Sequence, residues 1–389
     1  MFFDGSGEAV DWILGYDPPA DKFKDQVDNI LKGEGTYKSL MLAFAKDPNA
    51  VETVFKLARK YEDRYDQVKA AEFYKKVVAL DPDGKKGTTL YEPGQPGVSE
   101  KVTYTKYAEF NIGIAALGTR PADPAAMLAF VKKYPGGEMV KTAYARLSGA
   151  YFARTAPKDQ AATFYAEYAA RFPNDAMPLT AWVQRILQDK EPVDKGIELA
   201  KAAIAMSKSS AAPQGAVPGT VMVGPGGVIM NSSLELNLAR LYALKGDKAQ
   251  AVATVDAAIK TAGDNARALT SFAQAYLDIG AEDKALACYG PDFLKKNLAN
   301  ATVLTPYASF WARQEKNLDS ALEAAKKAAE LTPDNFVAWT SMAQVYVKMK
   351  NGAEAIKAAD KALAVAPAAQ KANVQRMVDQ IKTQAAAIK

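Results

Sequence analysis

The chain has no histidine and a single cysteine in 389 residues. Without histidine there is no Ser-His-Asp or Cys-His catalysis and no histidine-based zinc site, and one cysteine cannot make a CxxC redox pair. Cys288 sits in the apolar run Ala285-Leu286-Ala287-Cys288-Tyr289, where a free thiol behaves as a small hydrophobe. A redox-sensing thiol would need exposure and a cationic setting. No apolar run approaches the roughly 18 residues that cross a bilayer. Met1-Phe2-Phe3 gives way at once to Asp4-Gly5, so the chain as given shows no secretory leader. Glycines at 224, 226 and 227 are followed by no GK[ST], which removes a phosphate loop. Asp81-Pro82-Asp83-Gly84 with Glu92 fails as a calcium loop because Lys85 and Lys86 stand where a ligand and a glycine are required. The expectation is a protein that is not an enzyme, with no cofactor and no metal.

The formal charge is +5, with 24% of residues charged. Residues 336–389 alone carry eight Lys/Arg against Glu354, Asp360 and Asp379, so the excess is C-terminal. Those lysines are spread over helix faces with no aromatics among them after Tyr346, which describes a solvated face and not a nucleic-acid stripe.

What is present is a repeat. Ala321, Ala325, Ala328 and Pro333 recur as Ala355, Ala359, Ala362 and Pro367, each 34 positions on. Between Phe336 and Lys348, apolar residues at Trp339, Met342, Ala343 and Tyr346 fall on one helix face. Ala355, Ala359 and Ala362 form a second stripe, small enough for a neighbouring helix to pack at short range. Asn351-Gly352 supplies the turn, and Pro367 ends the second helix because it lacks an N–H and clashes with the preceding turn. One such hairpin cannot bury its apolar face alone, whereas stacked copies can.

This pattern resembles the tetratricopeptide repeat (TPR) family. The resemblance implies an all-α, right-handed superhelical solenoid of helix hairpins. Further copies fit the frame: 51–82 (Val54, Leu57, Ala58, Tyr61, Ala70, Tyr74, Val77, Pro82), 232–262 (Leu238, Ala239, Tyr242, Ala251, Val255, Ala258) and 266–289 (Phe272, Ala273, Tyr276, Ala285, Tyr289). Looser pairs are expected over 100–133, 138–171 and 179–206, with a terminal helix over 370–388. Residues 84–99 read as an inserted loop. Trp339→Ala is expected to destabilise the C-terminal repeats by roughly 3–5 kcal/mol, as for a buried aromatic.

Residues 1–32 differ. Phe2-Phe3, a Gly-rich turn, Glu8–Leu14 and a helix over 20–32 give a small β-hairpin plus helix, which resembles the last third of a thioredoxin fold. The preceding strands, the CxxC and the cis-proline segment of that family are absent, so no catalytic residue carries over. The resemblance implies the C-terminal portion of a bacterial-type thioredoxin-like/TPR protein. Phe2, Phe3, Val10, Trp12, Ile13 and Leu14 are too apolar to stay exposed. This segment must dock on the helix from Tyr37, pair its strand edge, or remain loose.

The expected organisation is 1–32, a partial thioredoxin-like segment; 33–207, helical repeats; 208–231, a Gly/Pro/Ser-rich insertion with a hairpin at 221–230; and 232–389, repeats and a capping helix. The expected function is a non-catalytic scaffold that binds a peptide or partner helix on the concave face of the array. On that face the resemblance places Leu236, Arg240, Arg267, Thr270, Gln274, Asp278, Phe310, Arg313, Thr340, Gln344 and Lys348. They do not reproduce the Lys/Asn pattern of TPR clamps for chaperone C-termini. The alternative is a client-presenting module of a thiol-disulfide oxidoreductase whose CxxC half lies upstream. Partners are protein or peptide, not nucleic acid, with oligomeric state open. The compartment is cytoplasmic for the chain as given, or periplasmic if its true N-terminus is missing.

Overall fold

The computed structural model describes residues 1–13, 20–94, 97–209, 222–224, 227–229, 231–262 and 266–388. The chain is all-α in class, built of TPR-like helix hairpins with short two-stranded sheets between them. It divides into two units, Met1–Trp182 with Val223–Val228, and Val183–Met222 with Ile229–Lys389.

Unit 1 runs β1 (Phe2–Phe3), β2 (Ala9–Asp11), α1 (Ala20–Lys32), α2 (Tyr37–Lys46), α3 (Val51–Asp63), α4 (Gln67–Leu80), β3 (Thr88–Tyr91), β4 (Glu100–Thr103), α5 (Tyr104–Leu117), α6 (Ala125–Lys133), α7 (Glu138–Phe152) and α8 (Lys158–Arg171). The division falls inside α9 (Ala176–Asp189). The first hairpin turns on Asp4, whose carboxylate accepts from the Ser6 amide at 2.8 Å and the Glu8 amide at 3.1 Å. It does not hang free. Lys38 of α2 pairs with Asp4 and, at 2.8 Å, with Glu8, and Lys60 of α3 pairs with the buried Asp11. Trp12 packs on the Tyr37 ring at 5.0 Å, with the Arg64 guanidinium 3.6 Å from the Trp12 ring centre and 5.8 Å from that of Tyr37. Of the three fates open to this segment, the structure shows docking on α2 and α3. Leu14 lies outside the described residues.

Two expectations in unit 1 are corrected. The stretch 84–99 is not merely a loop, and the helix does not begin at Glu100, because β3 pairs antiparallel with β4 in the register Thr88↔Thr103 to Tyr91↔Glu100. The β-branched Thr88, Thr89, Val102 and Thr103 and the aromatic Tyr91 favour that pleated pairing. Thr103 then starts α5 as its N-cap, its hydroxyl accepting from the Lys106 amide at 3.1 Å. Asp81, considered above as a calcium ligand, closes the loop instead. Burial works to raise its pKa, but the Lys86 and Lys85 amides and the Thr105 hydroxyl outweigh that and hold it low.

Unit 2 continues with α10 (Val193–Ser209). Of the insertion 208–231, Met222–Gly224 (β5) and Gly227–Ile229 (β6) pair as a two-stranded sheet, and its remainder, apart from the helix ends at either side, lies outside the described residues. There follow α11 (Asn231–Lys245), α12 (Lys248–Ala262), α13 (Ala266–Ile279), α14 (Glu282–Tyr289), α15 (Pro291–Asn297), α16 (Ala301–Gln314), α17 (Leu318–Leu331), α18 (Phe336–Lys348), α19 (Gly352–Ala364), a 3-10 turn (Ala368–Gln370) and α20 (Lys371–Ala386). The pairs α11/α12, α16/α17 and α18/α19 are the expected hairpins.

The pair that begins at α13 departs from the frame. Its second helix stops at Tyr289, because Gly290 has φ −100° and ψ −150° and Pro291 supplies no N–H. A Cβ at Gly290 would lie 2.2 Å from the Leu286 carbonyl oxygen, so no other residue fits this break. The chain restarts as α15. The Tyr289 carbonyl, orphaned by the break, accepts from the indole N–H of the fully buried Trp311 at 2.8 Å.

Candidate functional site

The alanines that set the repeat also set its surface. Ala239, Ala273, Ala308 and Ala343 stand at 0% exposure at equivalent points of α11, α13, α16 and α18, spaced 34, 35 and 35 residues apart. These first helices touch one another in succession, α11 with α13, α13 with α16, α16 with α18, and α18 with α20. Residues at a fixed offset from each alanine therefore form rows across unit 2. One residue on, the row reads Arg240, Gln274, Ser309, Gln344; four further, it reads Leu244, Asp278, Arg313, Lys348.

Those rows are laced together. Asp278 accepts from Arg240 Nε at 3.0 Å and from Gln274 Nε2 at 2.8 Å. Gln314 Nε2 donates to Gln274 Oε1 at 2.7 Å, which extends the chain to α16. From α16 to α18 the links are Ser309 to Ser341, 2.8 Å between hydroxyls, and Lys348 Nζ to Glu315 at 2.6 Å. Lys348 holds the Glu315 carboxyl below its ordinary pKa. Among the described residues, the exposed Arg313 reaches no hydrogen-bond or ion-pair partner.

A second set of ties joins the hairpin turns. Lys248 Nζ donates to the Gly280 carbonyl at 2.6 Å, Lys316 pairs with Glu282, and Lys284 pairs with Asp256 at 3.0 Å. The hydrogen bond from Tyr276 lowers the Asp256 pKa against the opposing effect of burial, with Lys284 adding to it.

Of the residues placed on this face by the sequence, Arg240, Gln274, Asp278, Arg313, Gln344 and Lys348 are exposed or half-exposed there. Leu236, Phe310 and Thr340 are corrected: they are 4%, 1% and 3% exposed and offer a partner no surface. Leu236 belongs to the core. Phe310 lies two positions past its alanine, a rotation that turns it away from the rows and edge-on to Tyr289 at 5.4 Å. The Thr340 hydroxyl is spent on the Val337 carbonyl at 3.0 Å. Thr270 bonds Tyr289, and the side chain of Arg267 lies outside those described. Sequence reasoning missed Asn237, Ser309, Gln314, Glu315 and Ser341; the fixed offset from the alanines is the signal that finds Ser309.

Burial pushes the Cys288 thiol up to about 12, so it is protonated at neutral pH. Among the described residues no group of three His, Cys, Asp or Glu side chains could hold a metal, and no helix is long and apolar enough to cross a membrane.

Stacked hairpins of this period, with first helices in succession, define a TPR-like helical repeat protein. The family ChAPs (Chs5p-Arf1p-binding proteins) matches over residues 234–387, less than half of the chain. No curated protein matches. Similar solved structures include yeast Tom70, at 12% identity and TM-score 0.40, covering 93% of this chain and 86% of that one. A tetratricopeptide repeat protein from Parabacteroides merdae is 10% identical with TM-score 0.36, covering 87% and 99%. YrrB, described as a TPR protein with an unusual peptide-binding site, is 14% identical with TM-score 0.28, covering 56% and 97%. The reading of the site rests on this chain's own geometry.

Proposed function

We propose that the chain is a non-catalytic scaffold that holds an extended peptide or partner helix along the first helices of unit 2. The observation that carries this is the polar row from Arg240 through Asp278, Gln274 and Gln314 to Arg313, Gln344 and Lys348. Its internal hydrogen bonds fix Arg240, Gln274, Asp278, Gln314 and Lys348 in place before binding, which reduces the ordering cost of association. Amides suit a peptide backbone, and Arg313 suits a carboxylate. A matched family named for binding Chs5p and Arf1p favours a protein partner over a small molecule.

The test is selection of displayed random peptides on the full chain, followed by calorimetry with Arg313→Glu and Gln344→Ala. Both side chains are exposed, so folding should be unaffected, and the selected peptides should bind Arg313→Glu at least about tenfold more weakly. Peptides that bind both variants as well as the parent would place the partner elsewhere.

A further inference from the structure

The hairpins α16/α17 and α18/α19 carry the same apolar ridge with different cover. On α16 the ridge is Leu304, Tyr307 and Trp311, and all three are 0% exposed. The extra helix α15 lies against both α16 and α17. From it Phe293 stacks on Tyr307, ring centroids 6.2 Å apart and planes at 12°, while Leu294 is buried beside it. On α18 the same positions, 35 residues later, are Trp339, Met342 and Tyr346. No helix of the chain covers them as α15 covers α16, among the described residues. The ridge is left half-exposed at Trp339 and Tyr346, and with Glu354, Lys357, Ala358 and Lys361 of α19 it lines a groove of about 280 Å³. Lys361 Nζ sits 5.9 Å over the Trp339 ring.

The chain thus displays, one repeat earlier, what fills such a groove. The groove's own charges indicate the charge of the missing occupant. Lys357 is held by Glu354 at 2.6 Å, whereas Lys361 has no ion-pair partner among the described residues. The groove thus presents one open cation, which favours a carboxylate on its cover.

We propose that the α18/α19 groove is a second docking site, distinct from the polar row, for a short helix of a partner protein. That helix presents an adjacent aromatic and aliphatic pair to Trp339, Met342 and Tyr346, in the manner of Phe293 and Leu294, and carries a carboxylate that meets Lys361. Trp339, Met342 and Tyr346 lie on a different stripe of α18 from Gln344 and Lys348, so both sites can be filled at once.

The probe is the synthetic peptide GPDFLEENLAN, which is segment 290–300 with glutamate in place of both lysines, held helical by a hydrocarbon staple across the positions of Asp292 and Ala299 and checked by circular dichroism. It is titrated into the full ¹⁵N-labelled chain, and the indole N–H of Trp339 is followed after assignment with Trp339→Phe. The expected result is a saturable shift at Trp339, with affinity about tenfold lower in Lys361→Glu and for the lysine-bearing peptide GPDFLKKNLAN. Absence of a shift at millimolar peptide, or equal binding of the two peptides, overturns the proposal. A shift at Trp339 that survives when alanines replace both Phe and Leu of the peptide overturns it as well.

Discussion

The two units solve the same packing problem with opposite materials. Unit 2 buries alanine: Ala321, Ala324, Ala325, Ala328, Ala355, Ala358, Ala359 and Ala362 line the seams of its last two hairpins, and small side chains let helix backbones approach closely. Unit 1 buries rings. Phe55 stacks on Tyr104 at 4.1 Å, Tyr151 on Phe164 at 4.3 Å, and Tyr144 on Tyr168 at 5.1 Å. Alanine seams have one solution, repeated at one period, whereas rings interlock pair by pair with no two contacts alike. Regularity in such an array is therefore a property of side-chain volume before it is one of topology.

Alkaline pH gives the strongest contrast. Burial raises the phenol pKa of Tyr61, Tyr74, Tyr107, Tyr144 and Tyr168 in unit 1, that of Tyr61 to about 12 with help from Tyr37. Unit 2 has Tyr276, Tyr289 and Tyr307, the last also at about 12. Unfolded phenols ionise near 10. Between that value and the folded one, the folded chain keeps protons the unfolded chain has shed, so stability is whole below about pH 10 and falls as pH rises through the folded values. With more such rings, unit 1 should unfold first. In the 5-fluorotryptophan NMR spectrum, the Trp12 and Trp182 signals should collapse at lower pH than those of Trp311 and Trp339; the reverse order breaks the comparison.

Two tryptophans of unit 2 sharpen it. Trp311 is fully enclosed and satisfies the Tyr289 carbonyl, so Trp311→Ala should cost about 3–5 kcal/mol in urea unfolding. Trp339 is only half-buried, its N–H bonded to the Pro333 carbonyl at 2.8 Å. Its truncation should cost nearer 1–2 kcal/mol, less than a reading of the repeat alone suggests. Equal losses would mean that the groove over Trp339 is closed in solution.

The smallest effect tests the seams. Ala359→Leu adds volume where helices touch and should cost about 1–3 kcal/mol, whereas Phe164→Leu, in a core of adjustable rings, should cost about 1. If Phe164→Leu proves the more damaging in the same unfolding assay, side-chain volume is not what separates the units.

The same contrast explains what was legible. In 302–367, alanines recurring at one period declared both hairpins and the rows they align, because few residues other than alanine fit a close seam. In unit 1, β3 was hidden inside glycine- and proline-rich sequence that also reads as a loop and β4 in what reads as the start of a helix, and pairing between residues as distant as Thr88 and Thr103 leaves no local period. Gly290-Pro291 was visible as a breaker, but the frame continuing through Tyr289 masked it. Arg240, Gln274, Asp278, Arg313, Gln344 and Lys348 of the proposed docking face followed from the resemblance, whereas Ser309 follows only from the offset from each alanine. Which members are spent and which are free did not, since it depends on reach between helices, as with Gln314 and Gln274 or Lys348 and Glu315.

The succession of first helices in unit 2 also bears on how fast and from where this part of the chain folds. Each hairpin meets its nearest neighbours in sequence, α16 with α17 and α18, and α18 with α19 and α20. No contact of this kind requires a large loop to close before it is rewarded, so the search is short and the expected rate high for a chain of this size. Nucleation is open to any adjacent pair, with growth outward in either direction. The pairs α11/α12, α16/α17 and α18/α19 hold eight alanines each, so alanine content singles out none of them as the seed. As the chain emerges from the ribosome, order of synthesis decides instead: α11/α12 can close first, and each later hairpin is made onto a neighbour that already exists.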